Sequence, residues 1–330
     1  AIFHQRGRPF MDNNATQADV PVGARPMATI AGTAPGLICP VSEKQIYALP
    51  GVPWEMQEMF ESDVLLDLLQ RRGDATTIVS HTLYCLGPGE SAIAARLALR
   101  LQALDTALDT TSNPTIAFLA SDFSGVRVRL TAKAADAKEA RKMLEEEARE
   151  VRALLGDAVF SEGSNENGSD PTHHLPEAVV LRLLAERGKT LAVAESLTGG
   201  GIGARLTSVA GASRVFRGGI VAYPSDAQFE SHGGPPGSVG SENAAAHMAR
   251  GVCRVLRADV GLAATGVAGP DSQEDLPPGT VCIAMALGDD VTTRTLNFAG
   301  RPREQVRILT ATWLFDMLRR LLNLHANSSL

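Results

Sequence analysis

The chain has 330 residues, 44% of them hydrophobic and 21% charged, with a formal net charge of −6. That is globular composition, enough for two or three domains of roughly 100–200 residues, and it lacks the basic balance of most nucleic-acid binders. No apolar run approaches the ~18 residues that cross a bilayer and no secretory h-region opens the chain, so a cytoplasmic protein without a membrane partner is expected.

Residues 1–73 carry loop-like segments, "GTAPG" and "LPGVPWEMQEMF", with too few strand and helix signals for a complete α/β domain. From 74 to 160 the pattern sharpens. "ATTIVSHTLYCL" reads as a strand, "ESAIAARLALRLQALDTAL" as a helix, and "PTIAFLAS" and "GVRVRLTAKA" as two more strands. "DAKEARKMLEEEAREVRALLG" closes the unit as a helix with Ala137, Ala140, Leu144, Val151 and Leu154 on one side, and its "EEEARE" run reads as a solvated face. The result is a small α+β sandwich. Residues 161–175, including "SEGSNENGSDPTHH", have linker composition, and His173 and His174 read there as solvated. Four cysteines (Cys39, Cys85, Cys253, Cys282) stand singly without a metal-site spacing, so buried free thiols and no metal are expected.

Residues 176–330 alternate between helix and strand. An amphipathic helix with Val179, Leu183 and Leu184 stops at Gly188 and leads into a short apolar strand. "SRVFRGGIVAY" (strand), "SENAAAHMARGVCRVLRA" (helix) and "DVGLAATG" (strand) follow. "GTVCIAMAL" and "VTTRTLNFA" form a strand pair, and "EQVRILTATWLFDMLRRLLNL" is a last helix. That order predicts an α/β layer fold.

The stretch "TLAVAESLTGGGIGARL" runs a strand into Glu195-Ser196 and then spends Gly199, Gly200 and Gly201 before a helix begins. It presents the Ser196 hydroxyl at the carboxyl edge of a sheet, where ligands of open α/β sheets collect, and beside helix amides that favour an anion. "GGIVAY" delivers Tyr223 to the same edge, and "ATGVAGP" supplies a second glycine turn. A small, phosphate-bearing, planar ligand such as a mononucleotide suits that edge. The residues alone leave other readings open: the glycine junction also fits a tight connection, Thr265 a helix cap and Tyr223 a half-buried strand aromatic.

In order and spacing, "AESLTGG" (194–200), "GGIVAY" (218–223), "TGVAGP" (265–270) and "PPGTV" (277–281) resemble the C-terminal domain of the CinA family, which includes the nicotinamide-nucleotide amidases. Upstream, "GTAPG", "LPGVPWEMQEMF", "TLYCLGPGES" and "RLTAKA" resemble the rest of that family, so the likeness spans nearly the whole chain. It implies a multi-domain α/β protein. Residues 1–73 would be the C-terminal part of a molybdopterin-binding-like (MoCF) domain, 74–160 a KH-like α+β domain, 161–175 a linker, and 176–330 the α/β amidase domain. The implied reaction, part of NAD salvage, hydrolyses the carboxamide of nicotinamide mononucleotide (NMN) to nicotinic acid mononucleotide and ammonia, with no cofactor and no metal. The implied catalytic residues are Ser196 and Tyr223. Glu195, Thr198, Gly199, Gly200, Thr265, Gly266, Gly269 and Arg303 would contact the nucleotide. A homodimer is implied and a nucleic-acid partner is not, since the KH-like unit lacks a GxxG clamp followed by basic residues.

One position departs from the family pattern. After the tyrosine the family reads Tyr-Ser-Asn-x-x-Lys, whereas this chain reads "YPSDAQ" and places Gln228 at the lysine position. A glutamine amide is no base, and a lost general base costs about 10²–10⁴-fold in rate. Lys189, after which the chain has no lysine, lies seven residues before Ser196 along a strand, roughly 23 Å away at ~3.3 Å per residue. The resemblance therefore admits two functions: an amidase impaired at Gln228, or a catalytically degenerate nucleotide-binding sensor or competence-related interaction protein. The family's "GGLGPTxDD"-type motif is absent from these residues, so no pyrophosphatase activity is expected.

Overall fold

The computed structural model describes residues 19–27, 34–71, 76–105, 114–121, 125–164, 171–223, 240–273 and 275–327. The chain folds as two compact units, 1–75 and 76–330. In the first, β1 (Arg25–Pro26), β2 (Leu37–Val41) and β3 (Lys44–Ala48) form an antiparallel sheet in that order. α1 (Pro53–Met59), which starts with Pro at its first turn, passes through a π-helical turn at Phe60–Val64 into α2 (Leu65–Arg71). Met27, Ile38, Met59 and Val64 make its small core.

The second unit begins with a four-stranded antiparallel sheet, order β5-β6-β4-β7, built from β4 (Thr77–Cys85), β5 (Thr115–Ser121), β6 (Gly125–Ala134) and β7 (Val159–Ser164). Val126, Val128, Leu130 and Ala132 alternate along β6 and pack with residues of α3 (Glu90–Asp105) and α4 (Ala137–Leu155) on one face. α4 is capped by Asp136, whose side chain accepts from the Glu139 N–H.

Four details depart from the sequence expectation. β7 takes Ser161–Ser164 from the expected linker, because those residues find a ladder partner in β4. Leu154 is exposed; the buried stripe of α4 ends instead on Leu155, which continues the spacing of Leu144, Ala148 and Val151. Glu147, within the run read as solvated, is only 2% exposed, since Arg100 on α3 reaches across and donates to its carboxylate at 2.9 Å. His174 is packed rather than solvated. Its ring stacks on Tyr84 with centroids 4.6 Å apart, and its Nδ1 is hydrogen-bonded to the Ser161 hydroxyl at 2.8 Å. Burial holds the His174 imidazole below the usual histidine range, with Arg182, His173 and His81 adding repulsion.

The remainder is a layered α/β structure. Its five-stranded sheet runs β12-β11-β10-β8-β9, from β8 (Leu191–Glu195), β9 (Phe216–Val221), β10 (Val260–Gly266), β11 (Thr280–Leu287) and β12 (Asp290–Asn297). β8 is parallel to both β9 and β10, whereas β11 and β12 add antiparallel. The sequence "LAVAE" explains the layering. Leu191 and Val193 enter a core shared with α5 (Pro176–Glu186), α6 (Gly201–Thr207) and α8 (Arg303–Asn327), while Ala192 and Ala194 turn to α7 (Glu242–Leu256). Small residues on that face let α7 lie close: a Cβ on Gly261 would strike the Ala249 carbonyl. The ion pair of Glu177 with Arg205 at 2.6 Å ties α5 to α6, and within α8 Asp316 pairs with Arg319 at 2.6 Å. Arg319 also donates to the Asp157 carbonyl at 2.8 Å, beyond the end of α4.

All four cysteines are free. Cys85 and Cys282 are buried, Cys39 and Cys253 half-buried, and burial pushes the Cys85 thiol up to about 12. Among the described residues, no helix is long and apolar enough to cross a membrane, and no group of three or more His, Cys, Asp or Glu could hold a metal ion.

Candidate functional site

β8 is flanked on both sides by parallel strands, so the chain leaves its carboxyl end between the ends of β9 and β10. Ser196 is the first residue beyond β8 and is 6% exposed; its N–H donates to the Ala264 carbonyl at 3.0 Å, which locks it to β10. Tyr223 follows β9 by two residues and is 54% exposed, so it is not a half-buried strand aromatic. Thr265 is buried within β10, opposite Cys282, and caps no helix.

The predicted anion-friendly helix start has its own anion. Glu195 is 1% exposed, and its carboxylate accepts from the N–H groups of Ile202 at 3.0 Å and Gly203 at 2.8 Å. The Gly201 N–H goes to the Thr198 carbonyl at 3.0 Å. The first three amides of α6 are thus satisfied inside the chain, and Glu195, expected among the substrate contacts, is a helix cap.

The glycines serve the same turn. Gly199 (φ +56°) and Gly200 (φ +89°) occupy the left-handed region, and a Cβ on Gly199 would come 3.1 Å from a guanidinium nitrogen of Arg307. That guanidinium donates twice to the Thr198 carbonyl, from Nε at 3.2 Å and Nη2 at 2.7 Å, so α8 grips the serine turn from behind. Gly201 has open space around its missing Cβ.

A cavity of about 290 Å³ opens at this edge, near the lower end of ligand-pocket sizes. It brings together six of the expected residues: Ser196, Tyr223, Thr265, Gly266, Gly269 and Arg303. Glu195, Thr198, Gly199 and Gly200 do not line it; they build the turn behind it. Gln228 lies outside the described residues. Arg303 spans the cavity wall. Its Nη1 donates to the Gly269 carbonyl at 2.7 Å and its Nη2 to the Tyr223 hydroxyl oxygen, so the phenol has a cation beside it. From sequence the phenol has no evident cationic neighbour, because Arg303 is 80 residues away.

Asp271, Ser272 and Gln273 also line the cavity and were not expected. They directly follow "TGVAGP", and the signal that could have found them is the continuation of that turn, closed by reciprocal backbone hydrogen bonds between Gln273 and Leu276. Among the described lining residues, Arg303 is the cation, Asp271 the carboxylate and Tyr223 the phenol. The arrangement offers a hydroxyl nucleophile and a phenol that can both accept and donate a proton. It also has a guanidinium that fixes the phenol and neutralises charge beside it.

Residues 173–322 match the family model described as the CinA C-terminal domain, and residues 80–161 match that of the damage-inducible protein CinA KH domain. A CinA-like protein of Frankia casuarinae is 42% identical over 322 residues, covering 96% of this chain and 71% of its own. A CinA-like protein of Synechocystis sp. is 39% identical over 331 residues, covering 97% of this chain and 75% of its own. A solved structure of a competence-damaged protein (CinA) superfamily member from Klebsiella pneumoniae is 29% identical, covers 47% of this chain and 99% of its own, and superposes with a TM-score of 0.44.

Proposed function

Because this chain belongs to the CinA family, we propose that its C-terminal α/β part hydrolyses the carboxamide of nicotinamide mononucleotide to nicotinic acid mononucleotide and ammonia. One observation carries the reading: Ser196, Tyr223 and the 265–269 turn share one cavity, with Arg303 bonded to the Tyr223 oxygen. In this reading the Ser196 oxygen attacks the carboxamide carbon. The Ser196 proton passes to the Tyr223 oxygen as the Tyr223 proton passes to the departing nitrogen, so ammonia leaves and an acyl ester remains on Ser196. Water then cleaves the ester by the reverse relay and releases the carboxylate. Tyr223 can serve both directions because Arg303, which only donates, uses one lone pair of the phenol and leaves the other lone pair and the O–H for the reaction. Such a relay replaces the lysine base that Gln228 cannot supply.

The second reading, a binding or sensing protein without turnover, draws on Gln228 and on the absence of any lysine after Lys189. Ammonia release from NMN separates the two, measured beside Ser196→Ala, Tyr223→Phe and Gln228→Lys. The amidase reading expects turnover in wild type that Ser196→Ala abolishes and Tyr223→Phe lowers by about 10²-fold or more. A silent wild type in which Gln228→Lys restores turnover refutes it and favours binding. Turnover that survives Ser196→Ala excludes the serine mechanism altogether.

A further inference from the structure

The sheet of β4 to β7 buries one face with α3 and α4; its other face carries a different chemistry. Directly opposed residues of antiparallel strands share a face. Arg127 therefore stands with Tyr84, Arg129 with Thr82, Thr131 with Ser80 and Lys133 with Ile78, all on the side away from Val126, Val128 and Leu130. Ala117 of β5 and Gly163 of β7 extend the Arg129–Thr82 row. Among the described residues of these four strands, no carboxylate falls on this side. Glu162 alternates to the other face, where it meets His81 and Arg152.

The row is unsatisfied. The Nε atoms of Arg127 and Arg129 are buried without a hydrogen-bond partner, and so is the hydroxyl of Thr82, a residue only 2% exposed. Buried polar groups without a partner are disfavoured, charged ones most, and three in adjacent positions of one face call for an acceptor. Residues two apart on a strand have Cα atoms about 7 Å apart, which lets both arginine forks close on one tetrahedral oxyanion. The approach is open, since Ile78 is 66% exposed and Thr115, Ala117 and Lys133 are exposed.

The geometry points to an oxyanion site on this face, in which Arg127 and Arg129 together hold the phosphate group of a small phosphomonoester. Nucleic acid fits less well. Of the aromatic residues described on this face, Tyr84 is already stacked on His174 and Phe160 is buried edge-on against Tyr84, so neither ring is free for a base, and the chain as a whole carries a charge of −6. The site lies beside the turn that carries His174 into α5, whereas the cavity at Ser196 is formed by other strands altogether.

Titration calorimetry of the full chain at fixed ionic strength tests this, with inorganic phosphate, glycerol 3-phosphate and a short single-stranded oligothymidylate as probes. The expected result is saturable binding of glycerol 3-phosphate, weakened about 10-fold or more in Arg127→Gln/Arg129→Gln. Arg303→Gln, in the other cavity, should leave that binding within about two-fold. Inorganic phosphate competing with the ester is also expected, because both present the same group. The melting temperature of the double variant should equal or exceed that of wild type, since two buried Nε groups without a partner are gone; a large fall would overturn the view that these Nε groups lack partners. No saturation by about 10 mM ester would overturn the proposal. So would binding unchanged in the double variant, or oligonucleotide binding that the ester fails to displace.

Discussion

Replacing Glu195 by glutamine separates its two possible roles, because the substitution keeps the shape and removes the charge. Glu195 is buried and holds two amides at the start of α6, those of Ile202 at 3.0 Å and Gly203 at 2.8 Å. A glutamine oxygen can keep one of them. Its NH₂ group then meets the other N–H donor to donor, leaving one buried amide unpaired at a cost of about 1–3 kcal/mol. Loss of the negative charge at the positive end of the helix adds about 1–2 kcal/mol. Together these make roughly 2–5 kcal/mol, which for a unit of this size lowers the melting temperature by roughly 5–15 °C. The assay is thermal melting of wild type and Glu195→Gln, repeated in urea, with NMN affinity measured on the folded variant by calorimetry. A melting temperature within about 2 °C of wild type, accompanied by a loss of NMN affinity, would refute the cap and return Glu195 to the substrate contacts.

The Arg100–Glu147 pair yields a second expectation: Arg100→Met leaves the buried Glu147 carboxylate unpaired and costs about 3 kcal/mol, the lower end for such pairs because Arg100 is partly exposed. The double variant Arg100→Met/Glu147→Leu should recover most of that in urea denaturation, and equal losses in single and double variants would contradict it. The pH dependence of folding should carry a His174 contribution. Its folded pKa is depressed, so the unfolded chain binds the proton more readily. That stability is complete above the unfolded value of about 6.5 and is lost as pH falls through the folded value. Melting curves between neutral and mildly acid pH should therefore drop less in His174→Phe, which keeps an aromatic ring against Tyr84. Finally, Gly266→Ala should lose more than about 2 kcal/mol, because Gly266 has φ +131° and its Cβ would enter the Thr280 carbonyl. Gly201→Ala, with open space and an ordinary helical position, should be neutral or stabilising by up to about 1 kcal/mol in the same melt.

Much of the architecture is written in local pattern. The short apolar runs "LAVAE", "GLAATG" and "TVCIAMAL" identify three strands without reference to the rest of the chain, and the glycine turns at 199–201 and 266–269 mark which edge carries the candidate site. Ser196, Tyr223, Thr265, Gly266 and Gly269 sit at strand ends and glycine turns that local pattern marks, whereas Arg303 was expected only through the family resemblance; the structure gathers all six at one cavity. What the polar side chains do there was not legible. Arg303 meets Tyr223 across 80 positions and Arg100 meets Glu147 across 47, and no periodicity encodes a partner at such a distance. The same holds for β7, whose short polar sequence becomes a strand only because β4 offers it an edge, and for His174, which is packed only because Tyr84 and Ser161 lie beneath it. Periodicity is a local property of the chain, set by the repeat of a helix or strand. A charge or hydrogen bond is satisfied by whichever group the finished packing brings within about 3 Å, so tertiary structure alone decided that Glu195 accepts from the first amides of α6 instead of lining the cavity.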